Sequence, residues 1–457
     1  MARGGGGEGV TAATGAIVER NDLILTEYDR FTRERGGAAP AWVRELRGRG
    51  LTAFAERGFP TTRDEEWRFT SIAPIAETAF ELAGEPTDRG AVRALIEGVT
   101  FTGVAARLVV LNGRFSAELS VLRPDSGIAA GGLGAALAAD RSGRLEQQVS
   151  KFPFEGRPFV ALNTAFLEDG AFVEIPAGAI VADPIHVVIV TTSGATPLVA
   201  HPRIVIAVGA NAQATIVETY IGAAETPYLT NAISDVLLGD HAVVEHCKDQ
   251  REPLTAHHMA TMQVRLGRSS TFTSQSFAFG GRIVRNDILA VLGGEGGECT
   301  LNGLYFGDGQ RLVDNHTTID HALPHCASHE LYKGILVGRA RAIFNGKIVV
   351  RPDAQKTDAK QTNRALLLSD GAQINTKPQL EIFADDVKCT HGAAIGQLDD
   401  EAMFYLRARG LTAVEARDML IHAFAGEILN QVEVEAVRGQ LESALFDQLA
   451  RDLEAQG

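Results

Sequence analysis

The sequence has 457 residues, 45% of them apolar and 22% charged, a balance that supports two or three packed domains. Its formal net charge of −14 excludes the basic footprint that binding to DNA or RNA requires. No run approaches the ~18 apolar residues of a membrane-spanning helix, and MARGGGGEGV holds no apolar export signal, so the expected address is the cytosol.

Residues 1–15 read as a disordered Gly-rich tail. A mostly helical region follows over 16–155. Val43, Leu46, Leu51 and Phe54 recur on one face of a helix over 40–58, which Gly58 and Pro60 stop. A polar stretch around Trp67 comes next, then helices over about 88–98 and 134–150. Between these two, residues 107–116 form two short strands around Asn112-Gly113. Trp67 reads as a helix-packing anchor or, less simply, as a docking residue.

From about residue 156 to 398 short β-rich runs replace the helical period. A six-residue unit recurs: Gly or Ser, two variable residues, a small one, a variable one, an apolar one. It starts at Gly209, Gly239, Gly267, Gly294, Gly338 and Ser369, at intervals of 30, 28, 27, 44 and 31 residues. Such a period belongs to stacked coils, each unable to bury its apolar face alone. The fold expected is mainly β, a parallel β-helix (β-solenoid) flanked by N-terminal and C-terminal helical regions. High Gly (48 residues) and few aromatics (6%) suit its narrow interior. The 44-residue step reads as a coil with an insertion near 305–330. A β-sandwich with even strand spacing is the alternative. Over 399–457 helical signals return. Asp399 or Asp400 caps a helix ended by Gly410, Thr412 and Glu415 form a capping box, and a last helix covers about 433–454.

No phosphate-binding GxxxxGK[ST] loop, GxSxG elbow, HExxH helix or dinucleotide fingerprint occurs. The four cysteines lie far apart, and a cytosolic address keeps them reduced. Cys389 and His391 are the sharpest candidates. Two residues apart on a strand, they share a face, and a thiolate with an imidazole suits iron or zinc. Lys388 beside them would lower the thiol pKa. Two ligands do not close a site, so a second chain would complete it. A buried structural cysteine with a chance neighbour is the plainer alternative. His316, His321, His325, Cys326 and His329 form a second group, placed in a loop by Pro324, with metal binding at His321, His325 and Cys326 weighed against a polar loop. Eight Lys or Arg over 333–364 mark a solvated face or an anionic partner surface. Leu420, Phe424 and Ile428 line a helix stripe that covers the open solenoid end or meets a partner.

Several runs together resemble the SufB/SufD family of the iron–sulfur cluster assembly machinery, on its SufD side. They are PTTRDEEWRFT (60–70), NTAFLEDGAFVEIP (163–176), DHALPHCASHELYKGIL (320–336), NGKIVV (345–350) and PQLEIFADDVKCTHGAAIGQLDDEAMFYLRARG (378–410). The resemblance implies a right-handed parallel β-helix that pairs with a SufB-like paralogue, a homodimer being the alternative for the isolated chain. It also implies a non-catalytic scaffold subunit that binds no nucleotide itself. A SufC-like ABC ATPase would dock on the helices after the β-helix, through Phe404, Tyr405, Leu420, Phe424 and Ile428. Cys389 and His391 match the Cys-x-His-Gly run implicated in holding iron or a transient iron–sulfur cluster at the shared interface. Two other readings stay open: a polysaccharide-processing β-helix enzyme, and a structural binding module without a metal role.

Overall fold

Parallel strands dominate the chain in a computed structural model, which describes residues 23–456 apart from 37, 38, 87, 152, 155, 193 and 224. The Gly-rich tail lies outside the described residues. The protein is mainly β, a solenoid of about eight turns with helices at both ends of the chain. Successive strands alternate between two sheets. The first ends in Ala256–Leu266, Ile283–Leu292, Leu312–His321, Arg341–Val350 and Gln373–Ile382. The second ends in Thr271–Ala278, Glu298–Gly307, Ala327–Leu336, Asp358–Leu367 and Lys388–Gly396. Every pairing between these coils is parallel and in register, so equivalent residues stack in columns along the axis.

The repeat has a physical cause at the corners. Asn211, His241, Ser269, Gly296, His325 and Lys356 all take left-handed φ between 49° and 71°, one at each of the six successive corners that enter the second sheet from Gln213 to Asp358. They fall 30, 28, 27, 29 and 31 residues apart. The period therefore never breaks. The glycines two residues ahead of the first four stack on the previous coil: a Cβ on Gly209 or Gly294 would stand 2.4 or 2.1 Å from backbone. After residue 320 these corners lose their glycine. Gly338 and Ser369 instead precede Arg341–Val350 and Gln373–Ile382, at the opposite corner. The 44-residue step is one and a half coils, not an insertion, and residues 305–330 are regular solenoid.

The two ends of the solenoid differ. At the start, Ala106–Leu111 pairs parallel with Ile185–Thr191, and two antiparallel partners then turn the sheet edge away. The strand signal at 107–116 is thus part of the solenoid, with Asn112 (φ 51°) and Gly113 (φ 83°) at its turn. Ala41–Arg57 and Pro158–Ala165 pack together against the first sheet, burying Phe54, Leu162 and Ile233. The helix expected over 134–150 is two, Leu133–Ala139 and Arg144–Ser150, broken before Gly143 (φ 70°). At the far end, among the described residues, no strand pairs beyond Gln373–Ile382 or Lys388–Gly396, which terminate both sheets as edges.

Helices Asp400–Ala408, Ala413–Leu429 and Glu435–Gln456 complete the chain. Asp399 caps the first, and Thr412 with Glu415 forms a full capping box on the second. The apolar stripe does not cover the open end. Ile421, Ile428, Leu429 and Val432 pack with Leu441 and Leu445 over the outer face of the second sheet, against Phe277, Phe306 and Ile335.

Candidate functional site

Cys389 and His391 lie on the last strand of the second sheet, opposite Ala359 and Gln361 of the preceding coil. Ala359 is fully buried, and Cys389 packs in the same cluster with Val350 and Ala384. The period of two then turns His391 to that interior face as well. Because no further coil covers it, His391 is exposed and Cys389 only half-buried. The pair therefore sits in the mouth of the solenoid, as the strand spacing anticipates. Lys388 does not activate the thiol. Burial raises the Cys389 pKa, the Asp358 charge adds to this, and a hydrogen bond from Ala359 offsets only part. In the free chain the thiol keeps its proton, and a thiophilic metal would have to displace it.

The second histidine group comes apart. His316 and His321 are on Leu312–His321, His329 is on Ala327–Leu336 in the other sheet, and His325 holds the left-handed corner between them. His321 is buried, shares a hydrogen bond with Ser328 Oγ at 2.9 Å, and burial pushes its pKa down to about 4. Cys326 donates to the carbonyl of Gly294 at 3.3 Å. His325 points at Glu295 in solvent. His321 and Cys326 are thus interior residues and His325 an exposed corner, and among the described residues no three His, Cys, Asp or Glu side chains form a group that could hold a metal.

His316 belongs to a cluster with no clear signal in the sequence. It lies on the outer face of the first sheet, under the segment 61–70, with Nε2 2.9 Å from Asp314 and Nδ1 3.3 Å from Glu66. Arg285 donates to Asp314 (2.8 Å) and to the carbonyl of Glu66 (2.7 Å), and its guanidinium lies 3.8 Å from the Trp67 ring centroid. Thr70 donates to Asp314 at 2.6 Å, and Lys377 to Glu65 at 2.7 Å. Burial disfavours charge on both His316 and Asp314, but their mutual attraction and hydrogen bonds win. His316 rises to about 9 and Asp314 falls to about 2. Trp67, buried against Phe159, is therefore an anchor that straps the N-terminal region to the solenoid. A cavity of about 320 Å³ opens beside the strap, between Arg157, Phe159 and Lys347, well apart from the Cys389 strand.

The C-terminal residues divide into two sets. Ile428 is fully buried and Phe424 mostly so against the chain's own second sheet, where Lys333 stands 4.4 Å from the Phe424 ring centroid and donates to its carbonyl at 2.8 Å. Leu420 is half-buried. Ile428 and Phe424 are thus taken by intramolecular packing, contrary to the partner role expected for them. Phe404 and Tyr405 are 75% and 56% exposed on a helix that buries nothing. With Ile382, Phe383, Ile395, Val414 and Met419 they make the exposed large apolar side chains at the open end and the helices that follow it. Six of the eight Lys and Arg of 333–364 have carboxylate partners, Glu427, Glu381, Asp320, Asp386 and Asp358 among them, so the run is a paired face rather than a free cationic surface.

Fold and site together define a class: solenoid proteins with one end closed by their own strands and helices and the other left open around a thiol–imidazole pair. Comparison with known proteins gives the family. The model of the SUF system FeS cluster assembly SufBD core domain matches residues 189–424, and that of the SufBD protein N-terminal region matches 28–187. An iron–sulfur cluster assembly SufBD family protein of Synechocystis sp. is 37% identical over 391 residues, 84% of this chain and 86% of that one. The iron–sulfur cluster assembly protein SufD of Escherichia coli is 31% identical over 396 residues, 86% of this chain and 89% of its own. A chloroplastic protein of Arabidopsis thaliana, ABCI7, is 27% identical over 409 residues, 87% and 84% of the two chains. The chain belongs to the SufBD family of iron–sulfur cluster assembly proteins. No described helix is long and apolar enough to cross a membrane.

Proposed function

We propose that this chain is a non-catalytic scaffold subunit of a SufBCD-type complex in the cytosol. Its open end pairs with the β-helix of a SufB-like chain. There Cys389 and His391 supply half of a ligand set for iron or a nascent cluster, which is the cargo. A SufC-like ATPase docks on the C-terminal helices through Phe404 and Tyr405. The observation that carries this reading is the open end itself. Two unpaired edge strands, with Ile395 and Phe383 exposed on and beside them, are a liability that soluble proteins cover. A two-residue ligand set in that mouth is incomplete until something covers it. The half-buried protonated thiol fits the same account, since in the free chain only the Ala359 hydrogen bond favours its thiolate.

The test is anaerobic reconstitution with iron and sulfide of the chain alone and of the chain co-expressed with its SufB-like and SufC-like partners. Iron is expected on the complex and not on the chain alone. A Cys389→Ala/His391→Ala double variant should assemble normally and yield much less cluster. Normal loading of that variant would remove the site assignment, and equal iron on the chain alone would remove the shared interface.

A further inference from the structure

Below His391 the solenoid interior holds polar side chains where packing alone would favour apolar ones. Glu330, Gln361 and His391 occupy one column on successive coils, Glu330 opposite Gln361 and Gln361 opposite His391. Glu330 and Gln361 are both buried, and Gln361 Nε2 donates to Glu330 Oε2 at 2.7 Å. Burial pushes the Glu330 pKa up to about 7. The other end of the amide, Gln361 Oε1, is buried and has no hydrogen-bond partner. Space for this amide comes from the facing sheet, where a Cβ on Gly346 would stand 2.0 Å from Gln361 Nε2. A carboxylate on one coil and a glycine in the opposite sheet therefore orient one amide, with its donor end used and its acceptor end free.

A buried acceptor without a partner is open to a donor from the next coil, and the residue stacked on Gln361 there is His391. A histidine that ligates a metal through one ring nitrogen nearly always donates its other N–H to a carbonyl, a carboxylate or water, which fixes the tautomer and the ring plane. We infer that Gln361 is the positioning residue for His391. Its Oε1 accepts the His391 ring N–H, so that the other ring nitrogen presents its lone pair to iron at the open end. Glu330 holds the amide in that orientation from the coil below. In the free chain the exposed His391 ring makes no hydrogen bond among the described residues, and the bond to Gln361 forms as the open end is covered. This inference rests on the reading of Cys389 and His391 as a ligand pair.

The experiment is anaerobic Fe(II) titration of the complex formed with a co-expressed SufB-type chain. Gln361→Met keeps the side-chain length and removes the acceptor, and should weaken Fe(II) binding about 10–100-fold while the complex still elutes intact. Gly346→Ala displaces the amide without altering Gln361 and should weaken binding in the same direction, which covers the case of poor folding by the first variant. The exchange Glu330→Gln/Gln361→Glu keeps a hydrogen bond between the pair and an acceptor under His391. Binding should return to within about threefold of the unaltered complex. Unchanged binding by Gln361→Met alongside loss in His391→Ala overturns this inference alone. A loss that the exchange does not restore overturns it too, since packing rather than the acceptor would then be at work. Unchanged binding by His391→Ala overturns the ligand reading beneath it.

Discussion

His316 carries the largest upward histidine shift in the molecule, and its consequence for stability has a definite sign. Its pKa is near 6.5 in an unfolded chain and about 9 in the fold. A raised folded pKa means that the stabilisation is complete below about 6.5 and is lost as pH climbs through about 9. The native chain should therefore lose thermal stability steadily between pH 7 and 10. His316→Gln should start lower at pH 7 and decline less, as read by melting temperature across that range. An equal slope in both proteins would show that the strap does not depend on this charge. Beyond the two-residue spacing of Asp314 and His316 this cluster was not legible in the sequence, because Arg285 joins them through strand register and Glu66 arrives on a helical turn more than 200 residues away. Cys389 and His391 were legible, because a period of two needs only the strand itself.

Among the elements, the last three helices have two different tasks. Ile428 is fully buried against the second sheet, so Ile428→Ala should cost about 2–5 kcal/mol and speed hydrogen exchange across 413–456. Phe404→Ala/Tyr405→Ala removes exposed rings from a helix that buries nothing. It should leave the melting temperature within a degree or two while weakening ATPase retention in a pull-down. The opposite pattern would exchange the two roles. The helix boundaries followed closely from Asp399, Thr412, Glu415 and Gly410, whose capping chemistry is local. The choice of docking face did not. A stripe from Leu420 to Val432 looks the same in sequence whether it meets the chain's own sheet or another protein.

For the whole molecule, the repeat was readable because a left-handed corner and a close coil-to-coil approach recur each turn. The phase slip at residue 338 was not, because Leu323, Pro324 and the residues around Lys356 make the same corner without glycine. That slip also hid the regular coils that separate the 316–329 histidines. With the period continuous to the last strand, the solenoid ends abruptly at Gln373–Ile382 and Lys388–Gly396, and the account depends on what covers those edges. The most direct measurement is the mass, by light scattering on gel filtration, of the chain co-expressed with its SufB-like paralogue. Phe383 and Ile395 are exposed in the free chain, so Phe383→Arg/Ile395→Arg should fold with an unchanged melting temperature. Unaltered chain is predicted to elute at the mass of the heterocomplex, and the double-arginine variant as a free chain. Undiminished co-elution of that variant would contradict the open end as the interface.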